Sequence, residues 1–318
     1  MISFIRNGTL IPIQMLKGVI LVLFGACSFG ILSTFVKLAY AEGYNLSDVT
    51  GTQAFFGVVL LWTIYFIQTR FKSKQSPKPV LKTHWAKLVA AGAFSGMVSL
   101  CYYQCVKLVP ASVAIILLMQ FVWISVLLEL IFYKKKPTKH QILAIIFILG
   151  GTVLASGWLG TPIAELNVMG IVYGLISALF YASFLMLNGK LGTEYPVLKK
   201  SALMITGACI IIFILLPPYF LINGALGGSL LKWGIILAVF GTVIPPLCFA
   251  SGIPKAGLTL SSILSSVELP VAVSMSALVL HEEVSLVRWL GVAIILGAMV
   301  LPNLENIKKG NIFKTKTS

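Results

Sequence analysis

One acidic residue, Glu268, stands in the middle of a long apolar segment, and it is the residue of this sequence best suited to do chemistry. A charged side chain at the centre of a bilayer costs on the order of 3 kcal/mol, so such residues usually face the protein interior and have a function. Ser261 and Ser265 precede it by seven and three residues, which places all three side chains on one helix face. The pattern predicts a carboxyl that exchanges protons or contacts a cation in a cavity. A structural carboxyl that hydrogen-bonds a neighbouring helix fits the same pattern.

Polar and aromatic side chains in other apolar segments could line the same cavity. Gln120 and Trp123 share one face of a segment, Tyr103 and Gln104 are adjacent late in another, and Tyr181 lies within a third. Such a mixture suits a site for an amphipathic organic solute. Each of these residues could also be an ordinary packing residue, so they are candidates for substrate binding.

Two further charged residues lie near the ends of apolar segments. Lys37 is expected near one membrane surface, where it could extend to the headgroups or act as a gating or anion-attracting group. Glu129 lies one turn before Lys134, Lys135 and Lys136, and we interpret it as a structural carboxyl that pairs at the interface.

No pattern in the sequence indicates an enzyme or a metalloprotein. The three histidines lie at predicted helix ends, away from any nucleophile, and no paired carboxylates or phosphate-binding loop accompany them. Cys101 and Cys105 share a helix face, but no further metal ligand is near them. We therefore expect no catalytic residue, no metal and no cofactor.

The composition is that of an integral membrane protein. Apolar residues make up 58% of the 318 residues, only 10% are charged, and the mean hydropathy is +0.98. A soluble domain of this size needs far more charged surface. A transmembrane helix needs roughly 20 apolar residues, so the chain has room for about ten. The predicted transmembrane helices are 16–39, 47–69, 85–106, 110–133, 138–158, 167–189, 200–222, 231–253, 257–280 and 286–304.

The net charge of +15 is distributed in alternate loops, which argues against nucleic acid as a partner. The positive-inside rule assigns the basic side of a membrane protein to the cytoplasm. The four Lys and Arg residues on the opposite side are Lys37, Lys107, Lys232 and Arg288. We therefore expect both termini in the cytoplasm, a multi-pass protein of the cell (inner) membrane, and the lipid bilayer as its surroundings.

The two halves of the sequence resemble each other at an offset near 147 to 148. Residues 100–102 (Leu-Cys-Tyr) match 247–249 (Leu-Cys-Phe), residues 148–151 match 295–298, and Gln120 falls opposite Glu268. Five helices per repeat is an odd number, so the second repeat enters the membrane upside down. Inverted repeats allow one bundle to rock against another around a central site. The predicted fold is therefore an all-α integral membrane protein with two inverted five-helix repeats, 1–159 and 160–318.

Several of these segments resemble a known family. Residues 26–31 (Ala-Cys-Ser-Phe-Gly-Ile) are similar to the opening of the EamA domain of the drug/metabolite transporter superfamily. Residues 266–272 (Ser-Val-Glu-Leu-Pro-Val-Ala), 281–285 (His-Glu-Glu-Val-Ser) and 291–297 resemble the end of a second such domain. The first half departs from the pattern, with Val122 and Trp123 where proline is usual. The resemblance implies a ten-helix exporter or permease of small organic solutes, with a cavity between two repeats.

The leading hypothesis is a secondary transporter, exporter or facilitator of small metabolites such as amino acids, acting as a monomer or a homodimer. A nucleotide-sugar or nucleobase permease of the same fold is an alternative, although phosphate recognition would favour basic residues deep in the helices. A membrane receptor or assembly subunit without transport activity is the alternative from another class.

The charge distribution generates a topological prediction. Membrane-impermeant thiol reagents added from outside should fail to label a cysteine introduced in the 70–84 loop and should label one introduced in the 159–166 loop. The opposite pattern would reverse the orientation, and labelling of both loops would contradict the number of helices.

Overall fold

The described residues form helices joined by short loops. The computed structural model describes residues 13–71, 82–109, 111–156, 167–281 and 284–308, and no strand occurs in these ranges. The helices of the first half are α1 (Ile13–Ala41), α2 (Leu46–Phe71), α3 (Trp85–Leu108), α4 (Ala111–Met119), α5 (Phe121–Tyr133) and α6 (Lys139–Ser156). Those of the second half are α7 (Val168–Lys190), α8 (Val197–Leu215), α9 (Leu230–Leu237), α10 (Ile244–Ala256), α11 (Leu258–Ser265), α12 (Glu268–Val279) and α13 (Leu286–Lys308).

Eight segments in the described ranges are long and apolar enough to cross a membrane. They are Gln14–Ala41, Leu46–Phe71, Trp85–Leu108, Ala114–Tyr133, Val168–Lys190, Val197–Leu215, Leu230–Ala256 and Leu258–Val279. Two shorter apolar helices, Lys139–Ala155 and Leu286–Leu301, fall where the fifth and tenth transmembrane helices were predicted. At 1.5 Å per residue these two apolar stretches reach about 25 Å, and the whole of α13, with 23 residues, reaches about 35 Å, compared with ~30 Å for the hydrocarbon layer.

Large apolar side chains cover much of the outer surface. Phe24, Phe66, Phe132 and Ile146 each expose 58–63% of their surface. Apolar patches of this extent are rare on soluble monomers, and lipid tails are the solvent that accommodates them. The exposed apolar surface and the apolar composition therefore both indicate a membrane protein.

The predicted helix 200–222 is shorter than expected at its carboxyl end. Helix α8 ends at Leu215, and Leu216 adopts an extended conformation with φ −128° and ψ 95°. Pro217 follows Leu216, and a residue before proline is sterically pushed out of the helical region. A single 3₁₀ turn, Tyr219–Leu221, then forms instead of a continuation.

Three predicted transmembrane helices are interrupted. In the eighth, a π-helical turn (Ala238–Val243) joins α9 to α10, directly before Pro245 and Pro246. The two prolines occupy the first turn of α10, where a missing N–H costs little. The regular α-helix is therefore interrupted by a π turn next to this proline pair.

The predicted ninth transmembrane helix is divided into α11 and α12 at residues 266–267. Pro270 cannot donate to the carbonyl of Ser266, and its ring would clash with that carbonyl in a regular helix. The chain instead makes tighter bonds, from Ser266 N to Ile263 O (3.2 Å) and from Val267 N to Leu264 O (3.2 Å). The break places Glu268 at the first position of α12.

The predicted fourth transmembrane helix is also divided, but without a proline. Gln120 lies in the turn between α4 and α5, and its backbone N–H bonds to Leu117 O (3.2 Å). Its side-chain Nε2 donates to Ile116 O (2.9 Å) and so occupies a carbonyl of the preceding turn. The amide side chain thus stabilises an interruption that proline produces in the second half.

Close helix packing depends on glycines at crossing points. Helix α3 packs along α8, and a β-carbon at Gly92 would collide with the backbone carbonyl of Met204. Conversely, a β-carbon at Gly207 of α8 would collide with the carbonyl of Val89. Small residues let transmembrane helices approach closely, so this pair sets the distance between α3 and α8.

We expect Gly92→Ala to destabilise the protein by about 1–3 kcal/mol, because the methyl group forces α3 and α8 apart. Gly150→Ala is the matched control, since a β-carbon there meets nothing within 4 Å. The control should be neutral or slightly stabilising, because alanine is the better helix former. Thermal unfolding in detergent measures both, and equal midpoints would contradict the packing argument.

Candidate functional site

An open cavity of about 600 Å³ lies beside the start of α12. Its wall combines one carboxyl with aromatic rings: Glu268, Phe29, Tyr102, Tyr103 and Tyr181. These residues come from α12, α1, α3 and α7, so both halves of the chain contribute. Phe29 packs edge-on against Tyr181, with ring centres 6.0 Å apart, which holds the two rings in the wall.

A second space of about 540 Å³ adjoins the first and shares Phe29 and Tyr181 with it. It extends towards α2 and the π-helical turn, where Gln53 and Thr242 face it. The phenol of Tyr103 donates to Gln53 Oε1 over 3.3 Å, which connects the two spaces. Together they form one cleft with aromatic walls and a few polar groups.

Glu268 supplies the charge of this cleft. Tyr181 donates its phenol proton to Glu268 Oε2 over 3.3 Å. Among the residues that line either space, none is Lys, Arg or His. The carboxyl therefore faces aromatic rings and open space, with no cation opposite it among the lining residues.

Close approach of α1 positions this carboxyl. A β-carbon at Gly30 would lie 2.6 Å from the backbone carbonyl oxygen of Glu268 and 2.7 Å from Cβ of Val271. Only glycine allows α1 to pack this tightly on the first turn of α12. Sequence reasoning had not selected Gly30, although it follows Phe29 in the segment that resembles the family.

The structure brings together three of the predicted site residues: Glu268, Tyr103 and Tyr181. Ser261 and Ser265 do not join them. Both are fully buried, and their hydroxyls have no hydrogen-bond partner within the described structure. The predicted stripe assumed one continuous helix, whereas the break at residues 266–267 ends α11 before Glu268.

Gln120 and Trp123 lie outside both spaces. The indole Nε1 of Trp123 donates to Gln120 Oε1 (2.8 Å), so the two contact each other as their shared face predicts. Trp123 as a whole is 40% exposed. Because the amide of Gln120 is engaged with Trp123 and the helix break, the pair supports local structure here.

Gln104 and Lys37 also lie away from the cleft. Gln104 is partly buried on α3, whereas its neighbours Tyr102 and Tyr103 line the first space. Lys37 is exposed near the end of α1.

Tyr102 and Phe29 line the cleft but were not among the residues predicted from the sequence. The adjacent tyrosines were a usable signal, but the sequence does not show which faces of α1 and α3 are inward.

Glu129 occupies a separate polar cluster that connects the two halves. It is buried, and its Oε1 lies 3.1 Å from Nζ of Lys135. Its Oε2 accepts from the backbone N–H of Thr259 (3.1 Å) and from the Thr259 hydroxyl. A carboxylate at a helix N-terminus satisfies an orphan N–H and the helix dipole, so Glu129 caps α11. The predicted structural pairing of Glu129 with the lysine cluster is present.

A further contact between the halves lies between the start of α3 and the loop after α7. The backbone N–H of Thr83 donates to Glu194 Oε1 (2.6 Å), and the phenol of Tyr195 donates to Thr83 O (2.8 Å). Hydrogen bonds from the Glu194 backbone and from Thr83 lower the pKa of the Glu194 carboxyl. Nearby, Lys200 is buried in the first turn of α8 and donates a hydrogen bond to Asn188 O.

Comparison with known proteins agrees with this architecture. The EamA-like transporter family matches residues 16–157 and again residues 168–304, one match in each half of the chain. A curated relative, the "Uncharacterized transporter YcbK" of Bacillus subtilis (strain 168), is 25% identical over 280 residues. The alignment covers 86% of this chain and 88% of the relative.

The fold also occurs among solved structures. One crystal structure superposes with a TM-score of 0.71 at 15% identity, covering 92% of this chain and 98% of its own. At this identity the likeness concerns the fold alone.

The Glu129 cluster generates a stability prediction. Glu129→Ala removes the partner of the Thr259 N–H and should lower the free energy of unfolding by about 1–3 kcal/mol. Lys135→Ala should change it by less than about 1 kcal/mol, because Lys135 is 58% exposed and exposed ion pairs contribute little. Thermal unfolding in detergent compares the two, and equal losses would show that the ion pair, not the cap, holds α5 to α11.

Proposed function

We propose that this chain, which belongs to the EamA-like transporter family and is a membrane transporter rather than an enzyme, carries small organic metabolites through the cleft that Glu268 faces. One observation carries the proposal: both halves of the chain build the wall of this cleft around a single carboxyl. A site at the interface of two repeats can be opened to either membrane side by rocking of the halves. Small metabolites that combine a polar or charged group with an apolar body suit the single carboxyl, the few polar groups and the aromatic lining of the cleft.

We further propose ten transmembrane helices in two inverted repeats, with α6 and α13 as the fifth helix of each. Helix packing supports this arrangement. Helix α3 packs on α7 and, correspondingly, α10 packs on α1, which are the third and first helices of opposite halves. The second helices of the two halves, α2 and α8, pack together, and so do the fifth, α6 and α13. Each of these helix contacts therefore has the symmetry-related counterpart that a two-fold axis between the halves requires.

The orientation is proposed from charge alone, with both termini in the cytoplasm and the cell (inner) membrane as the location. The nucleotide-sugar alternative gains no support from the cleft. A sugar nucleotide carries at least one phosphate diester, and no Lys or Arg lines either space to receive it.

Glu268→Gln tests the proposal because it preserves shape and removes the charge. The protein is reconstituted in liposomes, and substrates are identified by counterflow of labelled amino acids, nucleosides and polyamines. Removal of a carboxyl that exchanges protons should abolish the pH dependence of uptake and lower net uptake at least about tenfold, the factor that 1.4 kcal/mol represents.

Ser265→Ala is the matched control, since this hydroxyl lies on the preceding helix and away from the cleft. Its uptake should equal that of the parent protein. Full, normally pH-dependent uptake by Glu268→Gln would exclude Glu268 from the mechanism. A structural carboxyl predicts that outcome, together with a loss of about 1–2 kcal/mol of stability in Glu268→Ala.

A further inference from the structure

The residues that line the cleft include one acidic side chain and no basic one, and this favours some classes of metabolite over others. Glu268 is the charged residue among those that line its two spaces. Its carboxyl has the phenol of Tyr181 at 3.3 Å, which is the long end of the hydrogen-bond range. A buried carboxylate is stable only when a cation and further hydrogen bonds compensate its desolvation. The resident residues offer phenols and no cation, so the place opposite Glu268 is suited to a positively charged ligand.

The aromatic rings in the wall of the cleft also favour a positively charged ligand. Phe29, Tyr102, Tyr103 and Tyr181 line the same space as the carboxyl. Cations are attracted to the faces of aromatic rings, and the interaction grows when water is excluded. A carboxylate with several aromatic rings around it therefore favours an amine or quaternary ammonium with an apolar body.

Other charge types fit poorly. An anion would be desolvated in this cleft with no Lys, Arg or His among the lining residues to pair with it. A zwitterionic amino acid could pair its ammonium with Glu268, but its own carboxylate would then be desolvated without a cation. An amine that lacks the carboxylate avoids this cost.

We propose that the cleft carries monovalent organic cations, amines or quaternary ammonium ions with an apolar or aromatic body, and that Glu268 is their counter-ion. The inference rests on the proposed transport function and narrows its substrate class. When the cleft is empty the Glu268 carboxyl holds a proton. When the cation enters, the O–H bond breaks, the proton leaves to the adjacent solution, and the carboxylate pairs with the substrate. One proton is thus exchanged for one cation.

The groups that face Glu268 do not supply a competing charge. The titratable side chains in its space are the phenols of Tyr102 and Tyr103 from α3 and of Tyr181 from α7. The lining residues of α1 and α4 are Phe29, Gly30, Leu32, Ile115 and Leu118, and none of them titrates.

Two further helices pack against α12 from other sides. Helices α6 and α13 contact it. Their basic residues with described side chains are Lys139, His140 and Arg288, all in the first turns of those helices and absent from both spaces. Proton exchange in the cleft is therefore assigned to Glu268.

Three probes that share a phenyl ring and differ in charge test the class. They are phenyltrimethylammonium (a permanent cation), L-phenylalanine (a zwitterion) and 3-phenylpropionate (an anion), each radiolabelled. Proteoliposomes with an acidic interior should accumulate phenyltrimethylammonium at least about tenfold faster than either other probe, a factor that corresponds to ~1.4 kcal/mol. Collapse of the pH gradient with a protonophore should abolish the accumulation.

Two variants identify the counter-ion. Glu268→Gln should lose phenyltrimethylammonium uptake, whereas Glu268→Asp, which keeps the charge, should retain its preference for the cation at a lower rate. Comparable rates for all three probes, or uptake of phenylalanine without the cation, would overturn the cation class and leave transport standing. If no probe crosses while labelled metabolites show counterflow, the class is wrong. If counterflow also fails, the proposed transport function is wrong as well. If Glu268→Gln does not fold, the rates of the three probes in the parent protein and in Glu268→Asp still test whether the cleft prefers the cation.

Discussion

The requirement that every backbone N–H and C=O be bonded inside the hydrocarbon layer governs this structure. Water is absent there, so irregular backbone is tolerated only inside the protein or along a cavity. In the described ranges, predicted transmembrane helices are broken at three places: the turn at Gln120, the π turn Ala238–Val243 and residues 266–267. Two of these adjoin the cleft, since Thr242 lines one space and Glu268 lines the other. The breaks supply polar groups to a site that regular apolar helices could not provide.

Glycine contacts determine how tightly the walls of the cleft close. Gly30 allows α1 to lie against the first turn of α12, and Gly92 with Gly207 allows α3 to lie against α8. Without a hydrophobic driving force between helices in lipid, close van der Waals packing is a principal source of association energy. The glycines therefore stabilise the bundle and also fix where Phe29 and Tyr103 face Glu268.

The carboxyls of Glu129 and Glu268, both within apolar segments, have different surroundings. Glu129 has Lys135 and the N-terminus of α11 as partners, so its carboxylate is neutralised within the protein. Glu268 has one phenol at 3.3 Å and an open cleft. A satisfied carboxylate holds two halves together, whereas an unsatisfied one is available to a proton or a ligand.

The sequence by itself determined the class of protein, the approximate positions of the helices and the resemblance to the family, and it singled out Glu268 as a candidate. These properties follow from local features: hydropathy over about 20 residues, proline positions and the cost of a charge in an apolar segment. The match of the EamA-like transporter family to both halves confirms the family resemblance. Sequence also located Tyr103 and Tyr181, because polar aromatic residues are conspicuous in apolar segments.

Only the tertiary structure decided which side chains share the cleft. Ser261 and Ser265 were expected beside Glu268, but the helix break at residues 266–267 leaves them buried elsewhere. Gln120 and Trp123 bond to each other outside it, whereas Phe29 belongs to it. The physical reason is that every face of an all-apolar transmembrane helix looks alike in sequence. Its inward face is set by long-range contacts with other helices, such as that of Gly30 with α12.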